Sequence, residues 1–388
     1  MSTLERTIFL IGFSLFSIIG VAIFLFSFQR ANSTPWLETN HIETTINAWS
    51  YAFSNLQGDT PEQSNQHGEL WDLQSYDDLT AQEEVLLAQN NQFVLTSHLL
   101  LWLGFFGFAF KEMAQRRAQP AWVIWLRRLG FCGGGLLFFL VIGFYTALTA
   151  DTRLLIPLPG SDDLFSWMTM STSDYSMAGV HPWNDFLSIT ALGLFSGILI
   201  LGFCGEGLKT LPATLIACGL STIIFPITCS WVWGSGWLSF NLNAMDFAGG
   251  SIIHTVTGAA AIPIALGLFF AQKKARLLNP TAIPDDEYPK KSTLWLAVAL
   301  PLIILAFMGS HLSSFLEAKP EVGKAAVTIL LSCLTCGMGA CLWAIRNPHR
   351  SIIELFLLGA IGGAVLVSAN IETASQVIVI PMGLIMGA

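Results

Sequence analysis

Long apolar segments alternate with short polar segments along most of the chain. Each apolar segment is about 20 residues long, the length of helix needed to cross about 30 Å of hydrocarbon. The pattern predicts nine complete membrane-spanning helices and the start of a tenth near residue 377. The nine predicted spans lie at 8–28, 92–110, 129–149, 185–204, 211–231, 247–271, 293–313, 325–345 and 352–370.

Composition agrees with this pattern. Hydrophobic residues make up 53% of the chain and charged residues 11%, which excludes an ordinary soluble enzyme, a nucleic-acid-binding protein and a secreted disulfide scaffold. All seven cysteines lie in or at the ends of apolar segments, so we predict no disulfide framework. The Cys333-x-x-Cys336 pair lies on a hydrophobic helix without a second pair or a histidine partner, and we interpret it as structural. The predicted fold class is an all-α polytopic transmembrane bundle.

Charge is distributed unevenly. Residues 31–90 hold ten acidic side chains and no Lys or Arg, so the net charge of −8 becomes +2 without them. Short cytoplasmic loops carry an excess of Lys and Arg. With the N-terminus inside, the outer side receives Arg30, Arg153, Lys319 and Lys324. The inner side then receives Arg6, Lys111, Arg116, Arg117, Arg127, Arg128, Lys209, Lys273, Lys274, Arg276, Lys290, Lys291, Arg346 and Arg350.

This distribution predicts an integral protein of the bacterial inner membrane with a cytoplasmic N-terminus and three regions. Residues 1–30 form a transmembrane anchor helix that we expect to be retained, because no clear small-residue cleavage site follows it. Residues 31–90 form an acidic outer segment, either a cation-concentrating surface or a docking surface for a partner. Residues 91–388 form the membrane domain, whose sequence we expect to end inside a helix. A capping box, Thr80-Ala-Gln-Glu83, predicts that a helix begins there and continues into the next span, projecting above the membrane.

The span that begins near residue 247 carries the clearest chemistry. Asp246 is placed to accept hydrogen bonds from the exposed amides of the first helical turn. Gly249 and Gly250 permit close approach of another backbone. Eight residues after Asp246, His254 is expected about 12 Å deeper by helical rise. A neutral imidazole there accepts one hydrogen bond and donates another, as a narrow polar pathway requires.

The residues around this histidine resemble the ammonium transporter and Rhesus channel family. The specific part of the resemblance is AMDFAGGSIIH at 244–254, preceded by WGSGWL at 233–238. It continues through GFCGEGLK at 202–209 and, more weakly, through MGSHLSS at 308–314 and LGAIGG at 358–363. The resemblance covers about residues 129–388 and implies a bundle of two inverted halves, the second of which is incomplete here. It also implies a homotrimer.

The same resemblance implies roles for individual residues. Asp246 resembles the acid that shapes an outer recruitment site, and His254 the first of two pore histidines. Trp233 resembles the vestibule tryptophan, whose ring face attracts a cation. Ser314 lies where the family has a serine that accepts a hydrogen bond from the ion. His311 replaces what is usually an Asn, and we expect it to join Trp233 and Ser314 as an outer cation site.

Two departures from the family pattern concern the pathway itself. Counting back from Glu206 puts Leu192 at the position of the outer phenylalanine gate, with Phe195 one turn away. The second pore histidine of the family belongs to a helix beyond Ala388. The resemblance therefore implies an ammonium or ammonia channel or transporter. The alternative is a non-transporting relative, acting as an ammonium sensor or as a structural subunit beside other membrane subunits.

The remaining ionisable residues are interpreted as structural or interfacial. We expect His98 to be a hydrogen-bonded core histidine, and Glu354 and Glu372 to lie at the membrane interface. A hydrolase pairing Ser235 with His254 is disfavoured, because Ser235 is predicted in an outer loop above the histidine. We therefore predict no catalytic residue, no metal, no cofactor and no nucleic acid, and expect only ammonium or ammonia and the lipid bilayer as ligands.

Overall fold

The computed structural model describes residues 74–75, 81–115, 120–148, 174–175, 182–204, 208, 210–234, 236–242, 244, 246–278, 292–315, 320–346 and 351–388. The predicted first span at 8–28, most of the acidic segment at 31–90, and Glu206, Lys209 and Ser235 lie outside these residues. The retained anchor and the hydrolase hypothesis therefore concern parts of the chain that are not described.

The described residues form ten helices and one pair of two-residue strands. The strands are β1 (Gln74–Ser75) and β2 (Asp174–Tyr175), which pair antiparallel. Three of the helices contain a π turn: α2, α4 and α6. The helices are α1 (Ala81–Gln115), α2 (Ala121–Phe138, Phe139–Gly143 and Phe144–Leu148), α3 (Pro182–Cys204), α4 (Thr210–Gly219, Leu220–Ile224 and Phe225–Val232), α5 (Trp237–Leu242), α6 (Gly250–Thr255 and Val256–Leu278), α7 (Thr293–Leu312), α8 (Pro320–Arg346), α9 (Ile352–Val367) and α10 (Gln376–Gly387).

The predicted all-α polytopic bundle is confirmed. Seven of the described helices are long and apolar enough to cross a membrane, and α9 and α10 are shorter apolar helices. α1 is 35 residues long, which at 1.5 Å per residue is about 52 Å and exceeds the hydrocarbon thickness. The expected continuous helix from residue 81 into the next span is therefore present.

One predicted span is longer than the helix that the structure shows. The span predicted at 352–370 is a helix of 16 residues, Ile352–Val367, followed by turns over 368–373. The N–H of Ser368 donates to the carbonyl of Val365, only three residues earlier, at 3.2 Å. This tight bond ends the α-helical pattern before the polar residues Asn370 and Glu372.

Helix α3 lies at the centre of the bundle. Of the 18 consecutive residues that form the most apolar part of α3, 89% are buried. In the corresponding part of α6, 22% are buried. α3 packs against α1, α4 and α6. A helix that is apolar all round, as α3 is from Phe186 to Phe203, is suited to a position surrounded by other helices.

Among the described helices, the most extensive packing joins α1 to α7 and α8 to α9. At Gly107, an added Cβ would come within 3.0 Å of the backbone nitrogen of Ile303. At Gly309, it would overlap the carbonyl oxygen of Ser97. Glycine at these two positions lets the backbones of α1 and α7 touch, as small residues do in membrane helix pairs.

Candidate functional site: a buried histidine pair

The carboxylate of Asp246 caps the start of α6, as the sequence predicted. Its Oδ1 accepts a hydrogen bond from the amide of Gly250 at 2.8 Å. Its Oδ2 accepts from the amides of Ser251 at 2.6 Å and Ile252 at 3.0 Å. The negative charge therefore lies at the positive end of the helix, where it satisfies three amides that have no partner within the helix.

The two glycines after Asp246 have different tasks. Gly249 has a φ of +81°, a left-handed conformation that favours glycine, and it turns the chain into α6. Gly250 allows close approach, because an added Cβ would lie 2.9 Å from the Cβ of Ala369. The amide of Ala248 donates to the carbonyl of Ser368 at 3.1 Å. The start of α6 is thus bound to the turn after α9.

His254 lies in the π turn that begins α6. Its amide donates to the carbonyl of Gly249, five residues earlier, at 3.0 Å. Because the helix starts at Gly250, only about 6 Å of helical rise separates Gly250 from His254. The side chain nevertheless lies inside the bundle, with 7% of its surface exposed.

Neither ring nitrogen of His254 has a hydrogen-bond partner among the described residues. Its neighbours are rings instead: Phe307 at 5.6 Å and His311 at 6.0 Å between centroids. The two imidazole planes differ by 23°, so the histidines are stacked. A buried polar group without a partner costs free energy unless a ligand or water satisfies it.

His311 lies deeper than the sequence indicated. It is fully buried, at 0% exposure, and stacks on His254 rather than joining a vestibule. Its Nδ1 is 2.6 Å from the carbonyl oxygen of Phe307, and its Nε2 is 3.0 Å from the carbonyl oxygen of Ala364 on α9. The structure thus brings together two histidines that are 57 positions apart in the sequence.

A row of aromatic rings continues from the histidine pair into the bundle. Phe307 contacts Phe195 edge to face at 5.2 Å, and Phe195 contacts Phe108 at 6.3 Å. Phe108 in turn contacts Phe203 at 6.3 Å. Leu192, at the position of the family gate, is buried one turn before Phe195 on α3. A row of packed aromatic rings therefore begins one turn from the position that the resemblance implied for the gate.

The three residues of the predicted outer cation site are not joined by direct contacts. Trp233 Nε1–H donates to the backbone carbonyl of Asp246 at 2.6 Å, which fixes the orientation of the indole ring. Ser314 Oγ–H donates to the carbonyl of Ser310 at 3.5 Å. No hydrogen bond or ring contact among the described residues links Trp233 to His311 or Ser314, because His311 points into the bundle toward His254.

His98 lies in the core as expected, but only one of its ring nitrogens is hydrogen-bonded, because its Nε2 has no partner among the described residues. The ring is fully buried, and its Nδ1–H donates to the carbonyl of Val94 at 2.7 Å. Ser188 on α3 lies 3.4 Å from the same nitrogen. His98 therefore helps to bind α1 to α3, and the ring contacts that surround His254 are not found for it among the described residues.

A buried charged cluster joins α1 and α2, and the sequence analysis overlooked it. Glu112 accepts hydrogen bonds from Arg127 and from Arg128, the latter at 3.1 Å. Arg128 also donates to the carbonyl of Phe108 at 3.0 Å. Lys111 donates to the carbonyl of Gly202 on α3 at 2.8 Å. The predicted spans at 92–110 and 129–149 left these charges just outside the membrane helices, whereas the structure extends α1 and α2 to include them.

These features define an integral membrane protein of many helices with a polar, histidine-containing interior. A sequence model of the Ammonium Transporter Family matches residues 91–388. The chain therefore belongs to the ammonium transporter family.

Individual relatives agree with this assignment. The chain is 26% identical over 326 residues to the putative ammonium transporter sll1017 of Synechocystis sp., which covers 81% of this chain and 70% of the relative. It is 27% identical over 189 residues to ammonium transporter Amt2 of Archaeoglobus fulgidus, covering 46% of this chain and 38% of that protein. The matched region is thus well under two thirds of Amt2.

Solved structures share the fold. A structure described as Sensor Amt Protein superposes with a TM-score of 0.61 at 18% identity, covering 79% of this chain and 74% of that chain. Candida albicans Mep2 superposes with a TM-score of 0.60 at 18% identity, covering 77% of this chain and 64% of that chain. At this identity the likeness concerns the fold.

Asp246→Ala is expected to destabilise the start of α6 by about 1–2 kcal/mol, because three amides lose their acceptor. Asp246→Asn keeps one acceptor oxygen and is expected to lose less. The measurement is the free energy of unfolding of both variants in a denaturing-detergent titration. Equal stability of Asp246→Ala and the unmodified protein would contradict the capping role.

Proposed function

We propose that the chain moves ammonium or ammonia across the membrane along a pathway beside His254. The observation that carries this proposal is the buried His254 ring, whose two nitrogens have no partner among the described residues. Ammonium donates N–H groups and ammonia also accepts a proton in a hydrogen bond, so either species can satisfy a free imidazole nitrogen. Family membership supports ammonium as the transported species.

Recruitment is proposed at the end of the bundle that holds Asp246 and Trp233. The Trp233 ring is held by its bond to the Asp246 carbonyl, and its face attracts a cation by about 1–2 kcal/mol in a partly desolvated mouth. Ser314 is proposed as a hydrogen-bond acceptor at the same end. Potassium makes no directional hydrogen bonds, so such an acceptor favours ammonium.

Beyond His254, we propose that Phe195 and Phe307 form the narrow apolar part of the pathway. Both side chains are buried, and their rings meet edge to face at 5.2 Å. An apolar constriction penalises a charged species far more than a neutral one. It therefore favours passage as ammonia, with Leu192 one turn away on the same helix.

The setting that we propose is the bacterial inner membrane, with a homotrimer as the assembly and the Trp233 end outside. The acidic segment at 31–90 is proposed to lie at that end and to raise the local cation concentration. Its pairing through Gln74–Ser75 with Asp174–Tyr175, in the loop before α3, supports this position. A sensor or purely structural role is not favoured, and we propose no catalytic role.

The test is ammonium flux in proteoliposomes that contain the full chain. His254→Leu is expected to abolish most of the flux, because a pathway without the imidazole offers no hydrogen bond to the passing molecule. His98→Leu is the matched control, since it also removes a buried histidine but leaves the proposed pathway intact. Flux that is absent from the unmodified protein, or equal in the two variants, would reject the proposal.

A further inference from the structure

His311 is held between two backbone carbonyls on different helices. Phe307 O lies one turn earlier on α7, and Ala364 O lies on α9. In an uninterrupted helix the amide of Ser368 would donate to Ala364 O, but it donates to Val365 O instead. Ala364 O therefore lacks its usual helical donor and lies 3.0 Å from Nε2 of the His311 ring instead.

The two contacts cannot both be hydrogen bonds when the ring is neutral. Neutral imidazole has one N–H, and its other nitrogen is an acceptor. Both partners of His311 are carbonyl oxygens, which only accept. In the neutral ring, one nitrogen lone pair must therefore face an oxygen lone pair. In the imidazolium both nitrogens donate, and both contacts at 2.6 and 3.0 Å become charge-assisted hydrogen bonds.

A protonated His254 would have no such carbonyl acceptors for its N–H groups. Neither of its nitrogens has a hydrogen-bond partner among the described residues, and its neighbours are the rings of Phe307 and His311. Burial penalises the charged form of both histidines, so the difference in hydrogen bonding decides between them. At 6.0 Å between ring centroids, two positive charges in a low-dielectric interior repel strongly, and the pair holds one proton at most.

The titratable and charged groups on the surrounding elements are bound to other partners or lie toward the ends of their helices. The Asp246 carboxylate lies at the start of α6, where the amides of Gly250, Ser251 and Ile252 donate to it. On α1, which packs along α7, His98 is bound to Val94 and Ser188 instead. On α9, Glu354 lies ten residues before Ala364, about 15 Å away by helical rise. On α8, Glu321 and Lys324 lie in the first two turns, and Arg346 is the last residue of the helix.

We propose that His311 is the proton-holding residue of the pair and so determines the charge beside His254. When His311 carries the proton, the region beside His254 already contains one cation and excludes a second. When His311 is neutral, a molecule beside His254 meets two neutral imidazoles. His311 is thus a specificity-determining residue, and only its effect on flux rests on the proposed function.

The first test is solid-state ¹⁵N NMR of histidine-labelled full-length protein in lipid bilayers, without ammonium, from pH 5.5 to 8.5. Carbonyl ¹³C labels on Phe and Ala identify the ring that donates from both nitrogens to Phe307 and Ala364. We expect this imidazolium signal at the acidic end of the range, its loss in His311→Gln and its persistence in His254→Gln. Persistence in His311→Gln, loss in His254→Gln, or a neutral ring throughout in the unmodified protein overturns the proposal.

Two features keep this test independent of folding and of transport. If His311→Gln does not fold, His311→Asn is the second variant, and the spectrum of the unmodified protein still decides whether the doubly donating ring exists. In proteoliposomes at equal pH on both sides, flux divided by the bulk ammonia concentration should fall by up to about tenfold per pH unit below the titration of His311, as the competent fraction shrinks. His311→Gln should remove this fall, and an unchanged pH profile in that variant contradicts the inference. Absence of flux at every pH would reject the proposed function while leaving the NMR result valid.

Discussion

Replacing Glu112 by alanine is expected to destabilise the bundle by about 3–5 kcal/mol, because the change leaves two buried arginines without their shared carboxylate. Arg127 and Arg128 both donate to this side chain. Arg128 is completely buried, so its guanidinium has no contact with bulk solvent. The free energy of unfolding in a denaturing-detergent titration measures the effect.

Glu372→Ala is the matched control for this change. Glu372 is exposed in the turn after α9, so its loss should alter the free energy of unfolding by no more than about 0.5 kcal/mol. The double variant Glu112→Ala, Arg127→Met should recover part of the loss, since it removes one of the uncompensated charges. If Glu112→Ala and Glu372→Ala unfold alike, the buried cluster does not stabilise the fold.

Adding one methyl group at Gly363 is expected to separate α8 from α9. An added Cβ there would overlap the carbonyl oxygen of Ser332 and lie 2.8 Å from the Cα of Cys333. These are backbone atoms, which cannot rotate away as a flexible side chain can. Overpacking of this kind costs about 1–3 kcal/mol or more. It should also weaken the bond from Ser332 Oγ–H to the carbonyl of Gly363, now 2.6 Å long.

The neighbouring glycine supplies the comparison. At Gly362 an added Cβ would meet only the Sγ of Cys336, at 3.9 Å, which is an ordinary contact. Gly362→Ala is therefore expected to be neutral or to stabilise α9 by up to about 1 kcal/mol through its higher helix propensity. The two variants should differ in their free energy of unfolding in a denaturing-detergent titration and in their elution volume in size-exclusion chromatography. Similar behaviour of Gly362→Ala and Gly363→Ala would refute the proposed close contact.

The sequence alone predicted the membrane-spanning helices and residues that cap or line them. These features depend on the local order of residues along the chain. An apolar run of about 20 residues predicts a span wherever it occurs. Asp246 is separated from the amides that it caps by only four to six residues. This short spacing is why the sequence predicted the capping role. The motif from 244 to 254 likewise identified His254 as an interior residue.

The tertiary structure alone decided the partners of His311 and of the buried charges. His311 was expected in an outer vestibule, yet packing of α7 against α6 and α9 turns its ring toward His254 and Ala364. Glu112 meets Arg128 only because α1 and α2 lie side by side. Such contacts join residues far apart in the chain, and sequence spacing carries no information about which helical faces meet. The meeting of faces depends on side-chain packing among all the helices at once, which is why the histidine pair emerged only from the assembled bundle.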